Sequence, residues 1–237
     1  MKIGSLFSGI GGLELGLERA GMTVAWQSEI DPFACRVLAK HWPDVPNLGD
    51  ITKIEWSTVE PVDLICGGYP CQPFSLSGKR RGGRDNRHLW PFLAVAVRDL
   101  RPRWVVLENV TGHLSLGFGQ VLGDLAALGY DAEWDCLPAS AFGAPHRRER
   151  LAVVAYPTGS RLEGRIFTSP PRQAQSSLPG GLGRAGAHWE APPEVPRVGY
   201  GLPDWVDRVR ATGNAVVPQV AEWIGRRIMA ADLAAAS

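Results

Sequence analysis

Short apolar runs alternate with stretches of helical period along the first two thirds of the chain, and each run stops at glycine or at a polar residue. Lys2 to Ser8 runs into glycines, Thr23 to Ser28 ends at Glu29, and Val62 to Cys66 leads into Gly67-Gly68-Tyr69-Pro70-Cys71. Trp104 to Leu107 ends at Glu108, and Tyr130 to Leu137 and Leu151 to Ala155 read as two further strands. Between them Leu13, Leu17 and Ala20 sit at helical spacing, stopped by Gly21. Asp31 to Trp42 reads as a helix capped by Asp31 with Pro32 at its first position. Leu89 to Leu100 is apolar all round, and Gln120 to Leu128 is closed by Gly129. This alternation predicts an α/β fold, a mostly parallel sheet with helices on both faces. Such sheets bind ligands outside the carboxyl ends of their strands. Ser8, Glu29, Cys71 and Glu108 all stand just after a predicted strand.

The pattern breaks at Pro157. Residues 157–204 hold eight Gly and eight Pro in 48, against 28 and 19 in the whole 237. That density predicts a loop-rich insert. Ala215 to Ala230 is amphipathic and helical again, so the expected organisation is a discontinuous main domain, 1–156 with 205–237, and a small insert at 157–204. No run of about 18 apolar residues is present, so no transmembrane helix is expected, and no signal peptide. The four cysteines (Cys35, Cys66, Cys71, Cys136) are too few and too irregularly spaced for a disulfide framework or a zinc ribbon, which suggests free thiols in the cytoplasm. A net charge of +1 does not by itself suggest a nucleic-acid partner.

Four segments carry candidate chemistry. Phe7-Ser8-Gly9-Ile10-Gly11-Gly12, between a strand and a helix, lets backbone approach a ligand where a helix N-terminus favours negative charge. Glu29, some twenty residues on, stands where a carboxylate accepts hydrogen bonds from ribose hydroxyls, and Asp50 is a third candidate around a nucleoside. Without more context a tight turn and two surface acids explain these residues equally well. Cys71 sits in a loop shaped by two glycines and two prolines, followed by Lys79, Arg80, Arg81, Arg84 and Arg87; neighbouring cations favour a thiolate. Glu108, after four apolar residues, is a candidate for desolvation, a raised pKa and a role as acid or hydrogen-bond donor. In extended chain Arg148 and Arg150 point to one face, and two guanidiniums there suit a carbonyl oxygen or phosphates.

In this order the segments resemble the cytosine carbon-5 DNA methyltransferases, bacterial or phage type, over nearly the whole chain apart from the insert. Phe7, Ser8, Gly9, Gly11 and Gly12 look like that family's cofactor loop. Glu29 with Ile30 matches its ribose acid, Asp50-Ile51 the pair beside the adenine, and Pro70-Cys71-Gln72 its catalytic tripeptide. Glu108-Asn109-Val110 matches its Glu-Asn-Val, Arg148 and Arg150 its arginine motif, and Gly213-Asn214-Ala215-Val216 its last motif, which closes the cofactor pocket. The resemblance implies a Rossmann-like fold and S-adenosyl-L-methionine as cofactor, with no metal. It implies Cys71 as nucleophile on carbon 6 of a flipped cytosine, with Glu108, Arg150 and Arg148 holding the base. Gln72, Ser75, Lys79, Arg80, Arg81 and Arg84 would then contact DNA. The implied partner is double-stranded DNA, with a cognate restriction endonuclease as a further one, and the implied state is a monomer.

The chain departs from the pattern in two places. His146 stands where the arginine motif has Gln, and the target-recognition region is confined to about 157–204. Arg161, Arg165, Arg172, Gln173, Gln175, Arg184 and Arg197 are its candidate base readers, and a short target site or relaxed specificity is expected. Two rivals stay open at this level: an RNA cytosine methyltransferase of the same fold, and a non-catalytic copy that binds DNA or a partner enzyme.

Overall fold

The computed structural model describes residues 1–70, 89–160, 164–167 and 205–235. Its centre is a six-stranded sheet: β1 (Lys2–Leu6), β2 (Thr23–Ser28), β3 (Leu64–Gly67), β4 (Trp104–Val110), β5 (Tyr130–Pro138) and β6 (Glu149–Pro157), in the order β2-β1-β3-β4-β6-β5. The first four are parallel, and β6 runs antiparallel to both β4 and β5. The short parallel strands are buried on both faces, so they read as continuous apolar runs rather than as alternation.

Side chains of successive residues leave the sheet on opposite faces. Ile65, Val105, Leu107 and Val153 join one apolar layer with Trp90, Leu93, Phe118 and Leu125 from α3 (Trp90–Leu100) and α4 (Phe118–Ala127). Ile3, Leu64, Cys66, Val106 and Val154 join the other, with Leu17 from α1 (Gly12–Arg19) and Ala221, Ile224 and Ile228 from α6 (Pro218–Ala235). α2 (Pro32–His41) is capped as expected: the Asp31 carboxylate accepts from the amides of Phe33 and Ala34, and Pro32 opens the helix.

Three features differ from the sequence reading. β4 continues to Val110 because β6 pairs with it through Val110–Arg150, so Glu108 lies inside the strand rather than after it. A separate helix, α5 (Trp205–Asn214), precedes α6, and Pro218 opens α6 where the sequence suggested one helix from Ala215. The segment 164–167 packs on the sheet domain: Ile166 is buried, its amide donates to Glu133 Oε2 at 3.1 Å, and Phe167 packs against Trp223. Among the described residues no helix is long and apolar enough to cross a membrane.

α1 and α6 approach closely. A Cβ at Gly16 would lie 2.3 Å from the Pro218 carbonyl oxygen, and one at Gly12 2.4 Å from that of Val216. This helix pair brings the C-terminal part of the chain against the turn that follows β1. Beneath that turn Glu14 is fully buried, with neither carboxyl oxygen hydrogen-bonded among the described residues; burial pushes its carboxyl up, only partly opposed by Ser5 and Ser8.

Candidate active site

The turn after β1 is held in left-handed backbone at Phe7 (φ 55°), Gly9 (φ 55°) and Gly11 (φ 84°). Glycine accepts this conformation freely; Phe7 does so under strain. At the end of the adjacent strand, Glu29 fixes the turn. Its Oε2 accepts from the Gly9 amide at 2.7 Å, and its Oε1 from the amides of Ile30 and Asp31 at 2.8 Å each. A carboxylate has about four acceptor positions, so Oε2 keeps capacity for a hydroxyl. A Cβ at Gly9 or at Gly49 would meet nothing within 4 Å, so both glycines border open space. Ile30 is 67% exposed at the same lip. Asp50 accepts from the Thr52 amide and hydroxyl, at 3.0 and 2.8 Å, and this hydrogen bonding holds its carboxyl below the usual range; Ile51 behind it is buried.

Asn47 ties these pieces together. Its Oδ1 accepts from the amides of Glu29 and Gly49, and its Nδ2 donates to the Glu29 carbonyl. Sequence reasoning passed over Asn47, since an Asn in a loop before Leu-Gly-Asp carries no signal of its long-range partners. An acidic acceptor, open glycines and an exposed apolar side chain thus stand together beyond the ends of β1 and β2. On the side of Gly12, Val216, which follows Asn214 and Ala215 in the link before α6, closes on the turn with its carbonyl.

The second half of the site lies at the end of β4. Arg150 Nε donates to Glu108 Oε1 at 3.0 Å, with the two side chains 27% and 15% exposed. Burial pushes the Glu108 carboxyl up to about 7, although Arg150 and then Arg148 favour its ionised form. Its Oε2 occupies the space that a side chain on Gly68 would take: a Cβ there would be 3.0 Å away. Gly68 thus gives the carboxyl room beside the chain that leads into Pro70 and Cys71.

That lead-in is anchored twice. Tyr69 is buried, its hydroxyl 2.6 Å from His113 Nε2, while His113 Nδ1 lies 2.9 Å from the Leu116 carbonyl oxygen. A carbonyl only accepts, so Nδ1 carries the proton and Tyr69 donates to Nε2. Burial pushes the Tyr69 hydroxyl well up, keeping it a donor. Asn109 Nδ2 donates to the Tyr69 carbonyl at 3.3 Å. Neither Tyr69 nor His113 stood out in the sequence, because an aromatic and a histidine 44 residues apart signal nothing until the fold joins them.

Glu108, Arg148 and Arg150 line one cleft with Leu13 of α1 and with Val216 and Val217 of the link before α6. The structure thus brings Phe7 to Gly12, Glu29, Ile30, Asp50, Ile51, Pro70, Glu108, Arg148, Arg150 and Asn214 to Val216 to the carboxyl end of the parallel strands. Arg148 does not point as Arg150 does: its backbone is left-handed (φ 28°), and its Nη2 donates to the carbonyls of Gly213 and Ala215 at 2.6 and 2.7 Å. Cys71, Gln72, Ser75, Lys79, Arg80, Arg81 and Arg84 lie outside the described residues, as does most of 157–204.

The profile of the C-5 cytosine-specific DNA methylases matches residues 1–180. The type II methyltransferase M.AquIA of Picosynechococcus is 38% identical over 192 residues, 71% of this chain and 75% of that protein. M.HhaI of Haemophilus parahaemolyticus is 33% identical over 170 residues, 70% of this chain and 52% of its own length. M.NgoBV of Neisseria gonorrhoeae is 34% identical over 203 residues, 77% of this chain and 47% of its own. The chain therefore spans about half the length of several curated relatives it matches. Among solved structures, a putative DNA modification methyltransferase encoded within an Escherichia coli prophage superposes with a TM-score of 0.62 at 27% identity, over 73% of this chain and 51% of that one. With the profile covering well over half of the sequence, the chain belongs to the C-5 cytosine-specific DNA methylase family.

Proposed function

We propose that the protein is a DNA (cytosine-5-)-methyltransferase that modifies a flipped-out cytosine of duplex DNA through a covalent adduct with Cys71. The observation that carries the reading is the half-buried Glu108–Arg150 pair beside the Gly67–Pro70 lead-in to that cysteine. Cytosine carbon 5 is a poor nucleophile, and addition of the Cys71 thiolate to carbon 6 turns it into an enamine carbon. A Glu108 carboxyl with a pKa of about 7 is half protonated near neutrality and donates to the ring nitrogen as electrons move toward it. Arg150 holds the base's carbonyl oxygen as charge grows there. When bound, S-adenosyl-L-methionine supplies the methyl group from its sulfonium. Loss of the carbon-5 proton and of Cys71 restores the aromatic ring. A paired base cannot reach such a cleft, so the nucleotide must leave the stack. The basic stretch with Lys79, Arg80, Arg81 and Arg84, together with Gln72 and Ser75, is assigned to the DNA around it.

The discontinuous domain 1–156 with 205–237 carries this chemistry, and 157–204 carries target recognition. Packing of 164–167 on the sheet supports an insert anchored at its base. The type II designation of the relatives supports a modification role beside a restriction endonuclease. The protein is expected to act as a cytoplasmic monomer.

The test is methyl transfer from labelled S-adenosyl-L-methionine to unmethylated duplex DNA by the parent protein and by Cys71→Ser. The parent is expected to label DNA, and the variant to lose roughly a thousandfold or more in kcat. Bisulfite sequencing of the product then reads the target, which is expected to be short. Equal labelling by the two proteins would overturn the covalent route. Cofactor binding without transfer to any DNA would overturn the assigned substrate.

A further inference from the structure

Within the proposed function, the geometry points to Arg148 as a positioning residue that pins the Gly213–Val216 wall of the cofactor pocket to the start of β6, rather than as a group that binds the base. Family likeness pairs it with Arg150, and an extended backbone would aim both guanidiniums the same way. The left-handed turn at Arg148 breaks that alternation. Arg150 goes to Glu108, while Arg148 reaches 65 and 67 residues along the chain to the carbonyls of Gly213 and Ala215.

Those two acceptors define the job. Gly213 lies in the last turn of α5, where carbonyls have no partner further along the helix and the helix dipole is negative. Ala215 begins the short link to α6. One guanidinium nitrogen therefore caps α5 and fixes the link at the same time. The next residue, Val216, sets its carbonyl against Gly12 at the end of the turn that borders the adenosyl site. Displacing the link displaces that wall, so losing the tether must loosen cofactor binding. A lysine is a compact point charge on a flexible stem and cannot reproduce the rigid guanidinium fork.

Three measurements on Arg148→Lys and Arg148→Ala test the assignment. Calorimetric titration with S-adenosylhomocysteine should give a Kd raised several-fold in Arg148→Lys and tenfold or more in Arg148→Ala. Hydrogen exchange of the amides in 211–217, measured with no ligand present, should accelerate in both. In methyl-transfer assays the loss should fall mainly on KM for the cofactor, with a smaller change in kcat. An unchanged Kd and unchanged exchange with a hundredfold lower kcat would make Arg148 a base-contacting group and overturn the proposal. So would Kd and exchange that match the parent with no kinetic effect. If Arg148→Ala does not fold, Arg148→Lys decides by the same readouts. The exchange and affinity arms do not depend on methyl transfer. A parent that binds S-adenosylhomocysteine but methylates nothing refutes the proposed function and leaves the test of Arg148 standing.

Discussion

Glu108→Gln is expected to lower kcat/KM for methyl transfer by roughly 10²–10⁴-fold and, at pH 8, to make the protein more stable. Both effects come from one cause. The carboxyl is pushed from its ordinary value near 4.5 to about 7 by burial, which the Arg150 pairing offsets only in part. The folded state therefore holds the Glu108 proton more tightly than the unfolded chain does. As pH rises from about 4.5 to about 7 the unfolded chain releases that proton first, so stability falls across this window and is level above it. The total is on the order of 3 kcal/mol, an upper figure because the side chain keeps some solvent contact. Gln has the same shape and no charge to desolvate. Thermal unfolding should show the variant gaining on the parent at pH 8 and matching it near pH 4.5. The alkaline limb of kcat/KM near pH 7, where the parent loses its donor proton, should flatten in the variant, since an amide donates at every pH. A variant with the parent's pH profile would assign that limb to another group.

Gly16→Val is expected to destabilise the protein by about 3 kcal/mol or more, roughly 10 °C in Tm for a chain of this size, and to weaken cofactor binding. A Cβ at Gly16 meets the Pro218 carbonyl oxygen at 2.3 Å, the Ala221 Cβ at 2.5 Å and the Glu222 amide nitrogen at 2.8 Å. Two of these are backbone atoms, so α6 itself must move. Gly225 on α6 is also close, a Cβ there lying 2.8 Å from the Ala20 Cβ, so the helices have little slack further along. A displaced α6 uncovers Ile224 and Ile228, and takes Val216 away from Gly12. Differential scanning calorimetry with cofactor titration reads both losses. The control is Gly123→Ala in α4, where a Cβ meets nothing within 4 Å. There the better helix propensity of Ala should stabilise by up to about 1 kcal/mol. Equal effects at the two glycines would show that close approach does not decide the outcome at Gly16.

The strands were legible because buried parallel strands are written as unbroken apolar runs, and Asp31-Pro32 announced α2 by local capping chemistry alone. α5 was not legible: Trp205 to Asn214 follows a Gly/Pro-rich stretch and ends in Gly213-Asn214, so its local signals read as loop. Gly12 and Gly16 show the limit from the other side. Sequence marked Gly12 as part of a cofactor turn, but a glycine records only that something comes close, not that the visitor is the carbonyl of Val216 more than two hundred residues away.

Residue type and short spacing were enough to read the family and the order of its motifs, and they put the cofactor turn and Glu29 beyond their strands, whereas Glu108 falls inside β4 because pairing with β6 extends that strand. The tertiary structure alone decided that Glu108 titrates near 7, that Tyr69 and His113 anchor the chain entering Pro70, and that Arg148 and Arg150 serve different partners. Each of these depends on burial or on a distance between segments far apart in the chain. Desolvation and hydrogen bonding act through such distances, which a linear spacing does not encode.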